Sequence, residues 1–280
     1  MEKRLTRRIF IERTLKAGAG IAVLSSMNGC SATGTDRMKF GLVTYLWGLD
    51  WDLPTLISNC TNAGYSGVEL RTQHAHNVEI NLNSDQRKEV RKRFEESPVK
   101  CIGYGSNFEF HSPDQKVLRE NIDQSKEYIK LCSDIGATGI KVKPNFLPPE
   151  VPREKTIAQI ASSLNEIGKF GRDYDQLVRV EVHGNITQEI PVMKAIFDQV
   201  TEKNVKICWN CNDKDLLPPG LEGNFNMLKK WFGDTIHVRE LNSDDYPYQQ
   251  LFNLLTGIRY NGWILLEGRT EPEDRIAAMK

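Results

Sequence analysis

The chain has 280 residues, 39% of them hydrophobic and 26% charged, a composition that supports one large core or two modest ones and argues against disorder. Lysine plus arginine equal aspartate plus glutamate at 37 each. That balance leaves no surplus positive charge to hold a polyanion by counterion release, so nucleic acid is set aside as a partner.

In chain order, the first segment reads as a targeting signal. MEKRLTRRIF is basic, AGAGIAVLSSM is a short apolar run, and small polar residues follow. This is the pattern of a secretory signal over residues 1–30, with a short linker over 31–38. Thr6, Arg7, Arg8, Phe10 and Ile11 resemble a twin-arginine export signal, with Glu12 standing where a lysine is usual. The apolar run is shorter than the ~20 residues a permanent membrane span needs. Met27-Asn28-Gly29-Cys30 resembles a bacterial lipoprotein processing site in which Gly29 and Cys30 fit and Asn28 departs. Two readings stay open: a lipid anchor at Cys30, or cleavage elsewhere to give a soluble periplasmic protein. The alternative to export altogether is a cytosolic amphipathic arm.

From Lys39 onward, short apolar runs alternate with longer amphipathic ones, the mark of βα units around a parallel sheet. Eight strands are expected, in KFGLVTYL, SGVELR, KCIGYGS, TGIKVKPN, VRVEVHG, KICWNC, IHVREL and GWILLEG. The helices between them carry a period of 3.6, as in VLRENIDQSKEYIKLCSDIG, where Leu118, Ile122, Ile129 and Leu131 form or flank a stripe and Gly136 ends the helix. No glycine-rich phosphate loop follows the first strand, which argues against an open doubly wound sheet. The α/β class is therefore a (β/α)₈ TIM barrel, a single domain over residues 39–280. Its last helix, from Glu273 to Lys280, is short, and NFLPPEVP reads as a loop over the site. The cysteines beyond Cys30 lack the spacing of a disulfide scaffold. Cys208 and Cys211 lie three apart in a strand and so face opposite ways, which argues against a redox or zinc role.

Barrel enzymes do their chemistry at the C-terminal ends of strands, and there this chain places Glu181 and His183, His237, and Glu267. A carboxylate in such a place must be paired, protonated or bound to a cation. Alternation puts Glu181 with His183, Lys141 with Lys143, His237 with Arg239, and Glu69 with Arg71 on common faces. Taken singly, each is more often a salt bridge than a catalyst. Together, on several strands, they suggest a shared cation.

VRVEVHG, the histidine of HVREL and the glutamate of LLEG resemble the xylose isomerase-like barrels. The likeness runs through FEFHSPD, NFLPP and YPYQQLFNLL and extends to exported bacterial members described as sugar phosphate isomerase/epimerases. It implies one divalent ion, Mn, Zn, Mg or Co, held by the residues matching the family's ligands, Glu181, Asn210, His237 and Glu267. Asn210 departs from the usual aspartate, and Asp213 stands where a histidine is usual. An amide brings no charge and binds a dication less strongly than a carboxylate does. Asp213 or His183 is a candidate replacement, and loss of metal binding is the other reading.

A cation bridging a carbonyl and its neighbouring hydroxyl stabilises an enediolate. Glu181 and Glu267 are then the candidate catalytic pair for moving the proton. Lys141, Lys143 and Arg239 are expected to stabilise oxyanions or bind substrate, with Glu69, His111 and His183 as further hydrogen-bond partners. Trp47 and Trp209 are candidates to stack on a sugar or to fill the core. The leading expectation is a metal-dependent isomerase or epimerase of a non-phosphorylated carbohydrate. The alternatives are a keto-sugar or 3-keto-glycoside lyase or hydratase on the same fold, and a non-catalytic sugar-binding lipoprotein. An oligomer is compatible with all three.

Overall fold

The computed structural model describes residues 37–280. The expected signal segment and all but the last two residues of the linker lie outside the described residues.

Eight parallel strands close in sequence order, β1 (Lys39–Val43), β2 (Gly67–Arg71), β3 (Lys100–Gly105), β4 (Gly139–Val142), β5 (Leu177–Glu181), β6 (Val205–Asn210), β7 (Phe232–Val238) and β8 (Trp263–Leu266). Closure comes from β1 lying against β8, with Gly41 opposite Leu265 and Leu42 opposite Leu266. Around them run α1 (Leu53–Ala63), α2 (Ser84–Glu95), α3 (Gln115–Asp134), α4 (Arg153–Asp173), α5 (Ile190–Phe197), α6 (Leu221–Leu228), α7 (Tyr248–Gly257) and α8 (Arg275–Met279). All eight strands fall where the apolar runs place them. The seventh begins four residues earlier than expected, at Phe232.

The helix ends follow local chemistry. The Asp52 carboxylate accepts from the Thr55 amide at 2.9 Å to start α1, and Asn83 with Gln86 forms a reciprocal capping box at α2. Gly64 and Gly136, at φ 71° and 76°, take the left-handed conformation that turns the chain from helix to strand. The terminal α8 has five residues. It is secured by Arg275, which donates to both Asp50 oxygens at 2.6 and 2.8 Å and to the Trp47 carbonyl at 3.0 Å.

Strand alternation divides the core in two. Outward residues such as Val68, Ile140, Val178, Val180 and Ile236 join helix residues such as Leu56, Ile129, Leu164 and Leu251 in one large apolar layer. Inside the barrel the apolar filling is small, a cluster of Val43, Ile102, Trp263 and Leu265. The remaining interior is polar, and glycines on the early strands make room for it. A Cβ on Gly139 would lie 2.3 Å from the Leu177 carbonyl oxygen and 2.9 Å from an Arg179 nitrogen. Of the two readings for the tryptophans, core filling holds for both: Trp209 packs on Phe225 and Phe232, while Trp47 sits under Gly268 and donates to the Thr270 carbonyl. Cys211 belongs to the outer layer and Cys208 does not.

Gly139→Ala is expected to lower the unfolding free energy by about 1–3 kcal/mol, since backbone on one side and a pinned arginine on the other leave the methyl no room. Urea denaturation measures this, and an unchanged midpoint would show that the strands can separate to accept the added methyl.

Candidate active site at the C-terminal mouth of the barrel

On β5 the sequence Val178-Arg179-Val180-Glu181 sends its valines outward and its charges inward. Fully buried Arg179 donates to both Asp234 oxygens at 2.7 and 2.8 Å, to the Thr138 hydroxyl at 2.6 Å and to the Ile102 carbonyl at 3.2 Å. Burial alone would lower its pKa, but Asp234 outweighs that and raises it. Sequence reasoning did not single out Arg179, although the alternation of Arg179, Glu181 and His183 through VRVEVH carried the signal.

Above Arg179, side chains from five strands and from Glu267, just past β8, meet. Glu181 is the centre. Lys141 Nζ on β4 donates to its Oε2 at 2.5 Å, and Asn210 Nδ2 on β6 donates to its Oε1 at 2.7 Å. Burial would raise the Glu181 pKa, yet Lys141 first and then His237 hold it well below the usual glutamate value. His237 Nε2 lies 3.3 Å from Glu69 Oε1 and its Nδ1 lies 3.6 Å from Glu181 Oε1. Neither contact is aligned as a hydrogen bond, so both imidazole nitrogens and both Glu69 oxygens are buried without a hydrogen-bond partner. Burial would lower the His237 pKa, but the Cys208 sulfur and the Glu69 and Glu181 carboxylates outweigh it and hold it well above the ordinary value.

Glu181, His237 and Glu267, all buried, each offer a ligand atom within 4.8 Å of the others. Two carboxylates and an imidazole whose nitrogens lack partners fit a divalent cation in charge and in donor type. The fourth expected ligand behaves differently, because Asn210 turns its NH₂ toward Glu181. Asp213 is exposed at the start of a short 3₁₀ turn, and His183 bonds Asn145, so neither replaces it in the cluster.

A cavity of about 300 Å³ opens above this cluster. Glu181 and Glu267 reach it from below, and Lys143, His183, Arg71 and Arg269 line its walls. The remaining expected substrate contacts lie elsewhere. Glu69 and Lys141 are fully buried beneath the cavity and serve His237 and Glu181. His111 is drawn to the Pro144 carbonyl at 2.7 Å, and Arg239 pairs with Asp245 at 3.1 Å. Arg71 and Arg269, absent from the expected substrate contacts, enter because both stand just at or past a strand end.

Asn145 fixes the state of His183. Its amide NH₂ donates to Glu109 at 2.6 Å, so its oxygen faces His183 Nδ1 at 3.1 Å and takes a proton from it. Nε2 is thereby left as an acceptor, and burial keeps the ring's pKa below the usual histidine value.

A second buried network ties the strand ends together. Asn212 Nδ2 donates to the carbonyls of Val182 and Asn210, both at 2.6 Å, and its own backbone amide donates to Asp215 Oδ2 at 2.9 Å. Tyr246 donates to the same Asp215 oxygen at 2.8 Å. Burial pushes the Asp215 carboxyl up to about 7, and its Oδ1 has no partner.

Residues 57–212, more than half of the chain, match the family model described as xylose isomerase-like TIM barrel. Among solved structures, a 3-keto-D-glucoside 4-epimerase from E. coli shares the fold with a TM-score of 0.72 at 15% identity, over 87% of this chain and 96% of that one. D-psicose 3-epimerase from Clostridium cellulolyticum H10, solved with D-tagatose, gives 0.71 at 15% identity over 86% and 89%. The IOLI protein with a bound zinc atom gives 0.66 at 16% identity over 82% and 88%.

Lys141→Met would strand a buried carboxylate and is expected to cost about 3–5 kcal/mol in urea denaturation. Adding Glu181→Gln should recover much of the loss, and a strictly additive double variant would refute the pairing. Asp215 gives a pH signature. Between its ordinary pKa of 3.8 and the folded value of about 7, the native chain keeps a proton that the unfolded chain has released, so stability falls as pH rises through that window. Asp215→Asn keeps an acceptor for Tyr246 but removes the titration. Melting temperatures at about pH 5 and about pH 8 should therefore diverge between the two proteins, wild type falling further; parallel curves would contradict the assignment.

Proposed function

The chain belongs to the xylose isomerase-like TIM barrel family, and we propose that within it the protein is a carbohydrate epimerase or isomerase that moves a proton beside a carbonyl carbon. The observation that carries this reading is the meeting of Glu181, His237 and Glu267, within 4.8 Å of one another, at the floor of an open cavity. A divalent cation held by these three residues would stabilise the negative charge that develops on the carbonyl and hydroxyl oxygens when the intervening C–H is deprotonated. Epimerases acting on psicose and on a 3-keto-glucoside share the fold, which supports the same class of chemistry.

The chain's own residues divide the work. Glu181 accepts from Lys141 and Asn210 on its two oxygens and is held ionised. Such a carboxylate is a good anchor for positive charge and a weak base. The proton transfer expected of Glu181 therefore passes to others. Glu267, just past β8, faces the cavity beside the other two candidate metal ligands, with Arg269 at 3.6 Å. His183, just past β5, presents its unprotonated Nε2 from a different wall. When one of these removes the proton and the other returns it, the carbon is inverted; when Glu267 acts alone, the proton moves to the neighbouring carbon and the carbonyl shifts.

Elemental analysis and solvent exchange test the reading together. About one equivalent of Mn, Zn, Mg or Co per chain is expected, and it should be lost in Glu181→Gln and His237→Ala. Keto-sugars incubated in D₂O should gain deuterium next to the carbonyl, and Glu267→Gln should slow this by about 10²–10⁴. An unsaturated product would convert the reading to a lyase. Sugar binding with neither metal nor exchange, unaffected by Glu267→Gln, would replace it with a binding protein.

A further inference from the structure

The walls of the cavity are divided by charge. Glu181 and Glu267, at the ends of β5 and β8, line one side, where Arg269 pairs with Glu267, whereas Arg71 and Lys143, at the ends of β2 and β4, line the other. Three cations line the cavity, Arg71, Lys143 and Arg269, and Arg269 has a carboxylate partner in Glu267. Arg71 and Lys143 have none among the described residues. The Arg71 guanidinium donates to the neutral Asn107 amide oxygen at 2.9 Å and packs 5.5 Å from the centre of the Tyr45 ring. These contacts fix its plane without neutralising it. The Lys143 ammonium has neither a hydrogen bond nor an ion pair among the described residues, although its side chain is half-buried.

Two like charges held on one concave wall repel each other, and the wall's curvature limits the water that can screen them. The cost falls when an anion sits between them. Among the described residues no carboxylate contacts either cation: Glu181 is matched by Lys141 and Glu267 by Arg269, and Glu109, which acts on Lys143 from a distance, accepts from Asn145. A divalent ion at the cluster would add positive charge and strengthen the demand. The negative charge of an enediolate would develop across the cavity, on the side of β5, β7 and β8, and so does not account for Arg71 and Lys143.

We propose that the substrate is an acidic carbohydrate, in which an oxyanion substituent, a carboxylate or an ester of sulfate or phosphate, docks between Arg71 and Lys143 while the reacting carbon faces Glu267. This rests on the proposed carbonyl chemistry and departs from the neutral sugar that the sequence suggests. Arg71, preset by Asn107 and Tyr45, offers a planar fork suited to two oxygens of one group, and Lys143 adds a point charge.

Titration calorimetry of the full-length protein with fructose, fructuronate, fructose 6-phosphate and fructose 6-sulfate tests the proposal. At least one acidic probe should bind about tenfold or more tightly than fructose, the gain expected of a charge-assisted contact. The advantage should shrink as salt is raised. Arg71→Gln and Lys143→Gln should each remove most of the acidic probe's advantage over fructose. The probe that gains most identifies the group: fructuronate a carboxylate, either ester its own oxyanion. Equal affinity for all four probes, or a preference that survives both substitutions, overturns the proposal, and the comparison on the unsubstituted protein stands even where a variant fails to fold. Deuterium exchange run on the same samples separates this from the reading beneath it. Exchange into fructose and the acids alike, with equal affinities, leaves carbonyl chemistry intact and removes the acidic substrate. Selective binding of an acid without exchange does the reverse.

Discussion

Glu181 accepts from Lys141 and Asn210, its neighbours on the two flanking strands, and most of the barrel's interior is arranged around that pairing. A carboxylate fully removed from water must be met by positive charge and by donors on both oxygens, or it gives up its charge. Meeting it brings Lys141 inside, and Lys141 in turn leaves little space for apolar filling on that side. Arg179 below is neutralised by Asp234 at the bottom of the barrel, and the early strands carry glycine where a side chain would strike this column. Hydrophobic stabilisation is correspondingly concentrated in the outer layer between strands and helices.

This arrangement separates residues that hold charge from residues free to exchange protons. Lys141, Glu69 and Asn210 lie under the cavity and set the electrostatic state of Glu181 and His237. Glu267 and His183 reach the cavity itself. His183 depends on a relay from Glu109 through Asn145 that fixes which nitrogen is bare, and Asn145 is held in a left-handed conformation at φ 70° to make it. Backbone in a sparsely populated region beside a reactive group is a recurrent feature of functional sites. The site therefore draws its precision from loops as well as strands, with the Asn212 and Asp215 network clamping the ends of β5 and β6.

Periodicity alone was sufficient to place eight strands and the helices between them, because burial on both faces leaves apolar runs that are hard to mistake once eight recur. Strand-end position likewise pointed to Glu181, His237 and Glu267. Other residues take positions that the sequence does not give, for a physical reason. Lys141, Glu69 and Arg239 share strand faces with cavity residues, but alternation gives only the direction of a side chain and not its depth along the barrel axis. Arg71 and Arg269 were legible as strand-end charges and became informative only when their lack, or possession, of carboxylate partners was known.

The sequence by itself determined the class of fold, the order of its strands and several of the charged groups that point inward, since these depend on local pattern and on the two-residue repeat of a strand. Only the tertiary structure decided which charges neutralise one another, because strands distant in sequence become neighbours on closure. Lys141 and Glu181 are forty residues apart, and Arg179 and Asp234 fifty-five. With those partners assigned, what remains unpaired on the cavity wall becomes visible, and that remainder is what a ligand meets.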